Sequence, residues 1–162
     1  MNPATLAYPT AGVAKRFAAL IYDLLLLIAV SLAYGGLVLA FQMQVLEVEL
    51  QPGQRADMGL AGFMGLLVVL VGFYCFFWRR FGQTLGMKAW KLVLTNSEGY
   101  RPSLKQCVVR CLVAVVSFAA LGLGYFWRWV DADKLTWHDR ASGTRVLQIR
   151  KPPNPDSAGT PE

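Results

Sequence analysis

Apolar positions in this chain gather into three long blocks separated by polar connections. The first block, residues 17–41, holds a single charge, Asp23. A helix needs roughly 20 residues to cross a hydrocarbon core about 30 Å thick, so this block can span with some tilt. The second, residues 58–78, carries no charge and is closed by Arg79 and Arg80, the plainest spanning pattern in the sequence. The third, residues 107–127, is apolar except for Arg110. Its uninterrupted part from Cys111 to Trp127 would make a helix of roughly 25 Å, borderline for a crossing. Gly122 and Gly124 also interrupt it near its far end. Two readings stay open: a plain third span, or a helix that enters, breaks at Gly122-Leu123-Gly124 and returns. Irregular backbone at depth is tolerated only where protein or water covers it.

The polar connections carry structure of their own. Residues Trp90 to Thr95 read as a short strand and Asn96-Ser97-Glu98-Gly99 as a turn, while Thr144 to Arg150 forms a second strand-like run. The two strands can pair into a small cap only if the third block returns to the side it left. Residues 151–162, rich in Pro, Gly, Ser and Asp, are expected to be a disordered tail. The pattern therefore predicts an all-α membrane protein. It has two clear transmembrane helices, a third short spanning or re-entrant helix, and a small cytoplasmic β element. Residues 1–13 form an N-terminal segment and 14–150 the membrane domain.

Composition agrees. Over 162 residues, 55% are hydrophobic and 16% charged, against about a quarter charged in soluble domains. This excludes a disordered chain, a disulfide scaffold and an ordinary cytosolic globule. The net charge of +6 does not point to nucleic acid, because the basic residues flank the apolar blocks and so read as membrane orientation. Lys15 and Arg16, with the basic loop 79–106, are expected on the cytoplasmic face. The acidic loop 42–57 is expected outside. The basic run after Trp127 favours return of the third block to the cytoplasmic side. Lys15-Arg16 followed by Ser31-Leu32-Ala33 resembles a signal peptide with its cleavage site. The apolar run continues past Ala33, however, and Asp23 interrupts it, so the segment is expected to stay.

Few residues are placed for chemistry. Arg16 and Asp23 lie two helical turns apart, roughly 10 Å along the axis. A charge within the bilayer is costly, so Asp23 needs compensation. Arg110, at the head of the third block, is its expected partner, with Arg16 the second choice. Asp23 is then either a cation or proton site or half of a structural ion pair, and an acid clamped by arginine makes a poor proton carrier. The pair His138-Asp139 is expected in a polar, wet loop, capping a turn or tying that loop to an arginine. One His beside one Asp makes neither a metal site nor a catalytic triad. Cys75, Cys107 and Cys111 lie in apolar blocks and read as packing residues. The segment Gly82-Gln83-Thr84-Leu85-Gly86 lacks the Gly-Lys-Ser/Thr ending of a phosphate loop. No catalytic residue, metal, cofactor or nucleic-acid site is expected, and no enzyme.

Taken in order, these motifs resemble the RDD family of bacterial membrane proteins, named for one arginine and two aspartates. Arg16 and Asp23 match its first helix, and Gly82, Gln83, Thr84 and Gly86 match the segment after the second. Arg110 matches the arginine heading the last hydrophobic stretch. Thr136, His138, Asp139, Gly143 and Thr144 match the closing pattern. Tyr22 departs from it, standing where an apolar residue usually precedes the aspartate. The resemblance implies a multi-pass protein of the bacterial inner membrane, with the lipid bilayer as its surroundings. It also implies transport, including monovalent cation–proton exchange, as one function. Three hydrophobic segments hardly enclose a pathway, so a homo-oligomer or a larger membrane partner is expected. The alternative is a non-transporting membrane interaction or assembly protein whose Arg–Asp network is structural.

Overall fold

The computed structural model describes residues 8–45 and 57–149. The tail 151–162 and most of the loop 42–57 lie outside the described residues. Two long helices dominate: α1, Val13–Gln44, and α2, Gly59–Phe81. With 32 and 23 residues they measure about 48 and 35 Å at about 1.5 Å per residue, and both are long and apolar enough to cross a membrane. Their side chains are mostly exposed in the isolated chain, Leu32 by 72%, as suits surfaces that meet lipid.

After α2 the chain makes a short helix α3, Leu85–Ala89, and the strand β1, Leu92–Asn96. Helix α4, Leu104–Ala119, then enters through a capping box in which the Ser103 hydroxyl and the Gln106 side chain satisfy each other's backbone N–H groups. At 16 residues α4 is only about 24 Å long, short of a full crossing. It breaks at Leu121 and Gly122, both at positive φ, and Gly122 takes the left-handed conformation that a residue without Cβ adopts at little cost. Beyond the break, α5 (Leu123–Phe126) and a 3-10 turn (Trp127–Trp129) run at 108° to α4. Helix α6, Trp137–Ser142, and strand β2, Thr144–Gln148, complete the chain.

The sheet decides the path of the third block. Strand β2 pairs antiparallel with β1, Leu94 opposite Val146. On its other edge Ala11 N–H donates to the Val146 carbonyl at 2.8 Å and Gln148 N–H to the Pro9 carbonyl at 2.9 Å. Segments from before α1, after α2 and after α5 thus meet in one hydrogen-bonded unit. The third block therefore returns to the face from which it departs, the second of the two readings. The core lies beneath this cap. Ala19 from α1, Cys75 and Trp78 from α2, Met87 from α3, Leu92 and Leu94 from β1, Cys107 from α4 and Val146 from β2 are all buried and clustered. The cysteines are free thiols.

Candidate functional site

Polar side chains are buried where the helices meet the cap, and they form two centres. The first is built on Asp139, in the first turn of α6. Thr136 caps that helix, its hydroxyl accepting from Asp139 N–H at 3.3 Å while the Asp139 carboxylate accepts from Thr136 N–H at 3.2 Å. This reciprocal cap leaves the carboxylate able to take two more donors. Arg16 Nη1 donates to Oδ2 and Arg110 Nη1 to Oδ1, each at 2.6 Å. One carboxylate, completely buried, thus joins α1, α4 and α6. Arg16 also donates from Nε to the Ala11 carbonyl at 3.1 Å. Arg110 donates to the Thr144 hydroxyl at 2.8 Å, and its guanidinium lies 5.6 Å from the Trp78 ring centroid, a cation–π distance. Gly143, in the left-handed conformation, ends α6 and lets the chain turn into β2.

Burial alone would push the Asp139 carboxyl up. The guanidinium groups of Arg16 and Arg110 outweigh that and hold it far below the usual carboxylate range. His138, its neighbour, is 2% exposed and packs against the Tyr125 ring at 4.6 Å between centroids. Burial first, and then the charge of Arg110, bring its pKa from 6.5 down to about 3, against the opposing pull of Asp139. The imidazole is therefore neutral at physiological pH. Between about pH 6.5 and 3 the unfolded chain takes up a proton that the folded chain refuses, so stability falls as the pH drops through that window. Acidifying to pH 5 should cost about 2 kcal/mol through this residue. His138→Gln should remove that share of the loss of thermal stability between about pH 7 and 5. An unchanged pH profile would contradict it.

The second centre is Asp23. Seven residues along α1 from Arg16, it is 3% exposed, and its partners come from α3. Thr84 caps α3, its hydroxyl accepting from Met87 N–H at 3.2 Å and donating to Asp23 Oδ2 at 2.5 Å. Gly86 N–H donates to Oδ1 at 2.9 Å. Gly86 is required by contact: a Cβ there would run into the Ala19 carbonyl oxygen. Gly82 ends α2 in the left-handed conformation and Gln83 is half-buried between the two helices. The phosphate-loop-like segment is thus a helix end and a helix start that receive a carboxylate.

Two expectations change. Asp23 pairs with neither arginine: both guanidinium groups reach Asp139 instead, because α6 packs against α4 and brings its first turn between α4 and the start of α1. Asp139 is not in a wet loop; it is the centre of the buried network. Sequence reasoning also passed over Ser142, whose hydroxyl lies 2.6 Å from that of Thr144. It took Arg128 only as part of the basic run after Trp127, whereas its Nη2 donates to the Thr10 carbonyl and hydroxyl at 3.2 and 3.1 Å. The spacing Thr136-x-x-Asp139 is itself a capping-box signature and could have revealed the reciprocal cap of α6. Among the described residues no group of three or more His, Cys, Asp or Glu side chains is arranged to hold a metal ion.

Two spanning helices, a broken third segment and a cap stapled by a buried Arg–Asp–Arg network define a polytopic membrane protein with a re-entrant segment. Comparison with known families matches residues 10–143 to the RDD family, and the chain belongs to that family. No curated protein and no solved structure matches it.

Proposed function

We propose that the chain is a non-transporting membrane interaction module, in which the Arg–Asp network fixes the spanning helices to the cap. The partner is a second copy or a larger membrane protein. The observation that carries this reading is that all four carboxylate oxygens of Asp23 and Asp139 already accept from donors of the chain itself. A bound cation needs several oxygen ligands, and the closest groups around Asp23 are an O–H and an N–H. No catalytic role or cofactor is assigned to these residues. The bias of Lys and Arg toward the cytoplasmic side supports placing the cap in the cytoplasm, and family membership supports the bacterial inner membrane.

In vesicles carrying the full chain, sodium or potassium gradients should drive no more proton movement than in protein-free vesicles. The detergent-solubilised complex should have the mass of more than one chain by light scattering. A fluorescent protein fused at Ile149 should be bright and an alkaline phosphatase there silent. Exchange in the wild type that vanishes in a folded Asp23→Asn variant would establish Asp23 as an ion carrier. A single-chain mass would remove the partner, and an active phosphatase would reverse the orientation.

A further inference from the structure

Above the Asp139 network, α1, α2 and α4 do not close on one another. They leave between them a half-open cavity of about 500 Å³, within the range of about 300–1,000 Å³ typical of small-molecule sites. Its upper walls are apolar, with Leu24 and Leu27 from α1, Leu67 and Val71 from α2, and Val115 from α4. Its floor is polar. Arg16, Trp78 and His138 line it, and each is more than nine-tenths buried. Each also carries a buried atom without a hydrogen-bond partner: Arg16 Nη2, Trp78 Nε1 and His138 Nδ1. Two of the three are N–H donors, and an unsatisfied buried donor costs about 1–3 kcal/mol, more for a charged group. Orphaned donors gathered at one end of one cavity point to an acceptor from outside the chain.

The charge balance says which kind. Arg16 and Arg110 carry two positive charges, Asp139 carries one negative charge, and the imidazole of His138 carries none. At the Asp139 end alone the floor therefore holds one positive charge in excess, out of water, where charge is costly unless paired. That excess disfavours a cation and calls for a monoanion. Asp23 also lines the cavity, and its carboxylate balances the lining as a whole, but it sits two turns further along α1 and both its oxygens are engaged by Thr84 and Gly86. The head of a ligand is thus matched only at the Arg16 end. A transmembrane helix from a second copy cannot enter for more than about a turn, since one turn about 5.4 Å long and 10 Å across already takes up about 420 Å³. An extended acyl chain matches the apolar walls.

We propose that this cavity binds an acyl amphiphile with a monoanionic head, the head accepting from Arg16 Nη2 and Trp78 Nε1 and the chain lying between α1, α2 and α4. The site is independent of whether the protein transports ions. The full chain, purified in a neutral detergent, is titrated with palmitate and with methyl palmitate, and bound ligand is read by native mass spectrometry. Palmitate should saturate at one per chain, with the uncharged ester at least tenfold weaker. Val71→Trp fills the upper cavity without touching the Arg–Asp network and should reduce palmitate binding by at least tenfold while the thermal midpoint is kept. Displacement by phosphatidylglycerol but not by phosphatidylcholine would identify the bilayer as the source of the ligand, and persistence of palmitate under both would identify a free acid. Equal binding of acid and ester, no saturable binding, or full binding by a folded Val71→Trp would each overturn the proposal. The comparison of acid with ester uses the wild-type chain, so it holds even if the variant fails to fold.

Discussion

Asp139→Asn should nearly abolish accumulation of the folded protein, and it should do so far more severely than Asp23→Asn. The Asp139 carboxylate is the shared counter-charge of two buried guanidinium groups at 2.6 Å each. An asparagine keeps the size but leaves Arg16 and Arg110 facing each other without a negative charge. Breaking a buried pair in this way costs about 3–5 kcal/mol, a large share of the roughly 5–15 kcal/mol that holds a typical domain together. In Asp23→Asn, by contrast, the new amide oxygen can still accept from Thr84 or from Gly86, so that variant loses about 1–2 kcal/mol. Yield of monodisperse protein and its thermal midpoint, compared across the wild type and the two variants, check the order. Asp139→Asn accumulating like the wild type would refute the central role given to this carboxylate.

Gly86→Ala should be nearly as damaging, although it adds only one methyl group. That methyl would overlap the Ala19 carbonyl oxygen and stand 2.9 Å from Asp23 Oδ1. The first is backbone and cannot swing away, so α3 would have to withdraw from α1. Withdrawal breaks both hydrogen bonds to Asp23 and leaves that carboxylate buried without donors. Overpacking and the stranded acceptor together cost about 2–5 kcal/mol. Gly35→Ala is the control, because a Cβ there meets nothing within 4 Å, and alanine is the better helix former. A thermal midpoint for Gly86→Ala equal to that of Gly35→Ala would show that α1 and α3 are not held as described.

The membrane architecture was legible in the sequence because it follows from block lengths and breaks. An uncharged run from 58 to 78 can hardly be anything but a span, and Gly122 lies where the third helix ends. The strands were legible to within about two residues, Trp90 to Thr95 against the observed Leu92–Asn96 and Thr144 to Arg150 against Thr144–Gln148, since turn residues bound them. The pairing of the charges was not. Asp23 and Thr84 are 61 residues apart, Arg16 and Asp139 are 123 apart, and periodicity along one helix carries no information about which distant helix lies beside it. The burial of Asp139 was hidden for another reason. Thr-Trp-His-Asp-Arg is a polar string, and only the packing of α6 on α4 turns its polar face inward. The cavity could not be read at all, because its walls are stripes from three helices and its floor depends on which guanidinium nitrogen is left over.

The cap also has a consequence for how the protein is made. Arg16 enters the membrane edge early, whereas its counter-charge is 123 residues further along. At about 5–20 residues per second of synthesis, the arginine waits on the order of ten seconds before Asp139 exists. The edge of the sheet provided by residues 9–11 has no strand to meet until β2 follows. During that interval α2 and α3 are made and Asp23 gains its donors Thr84 and Gly86, but the arginines have no carboxylate to meet. A nascent chain stalled between residues 110 and 139 would hold Arg16 and Arg110 without the carboxylate they share in the finished protein.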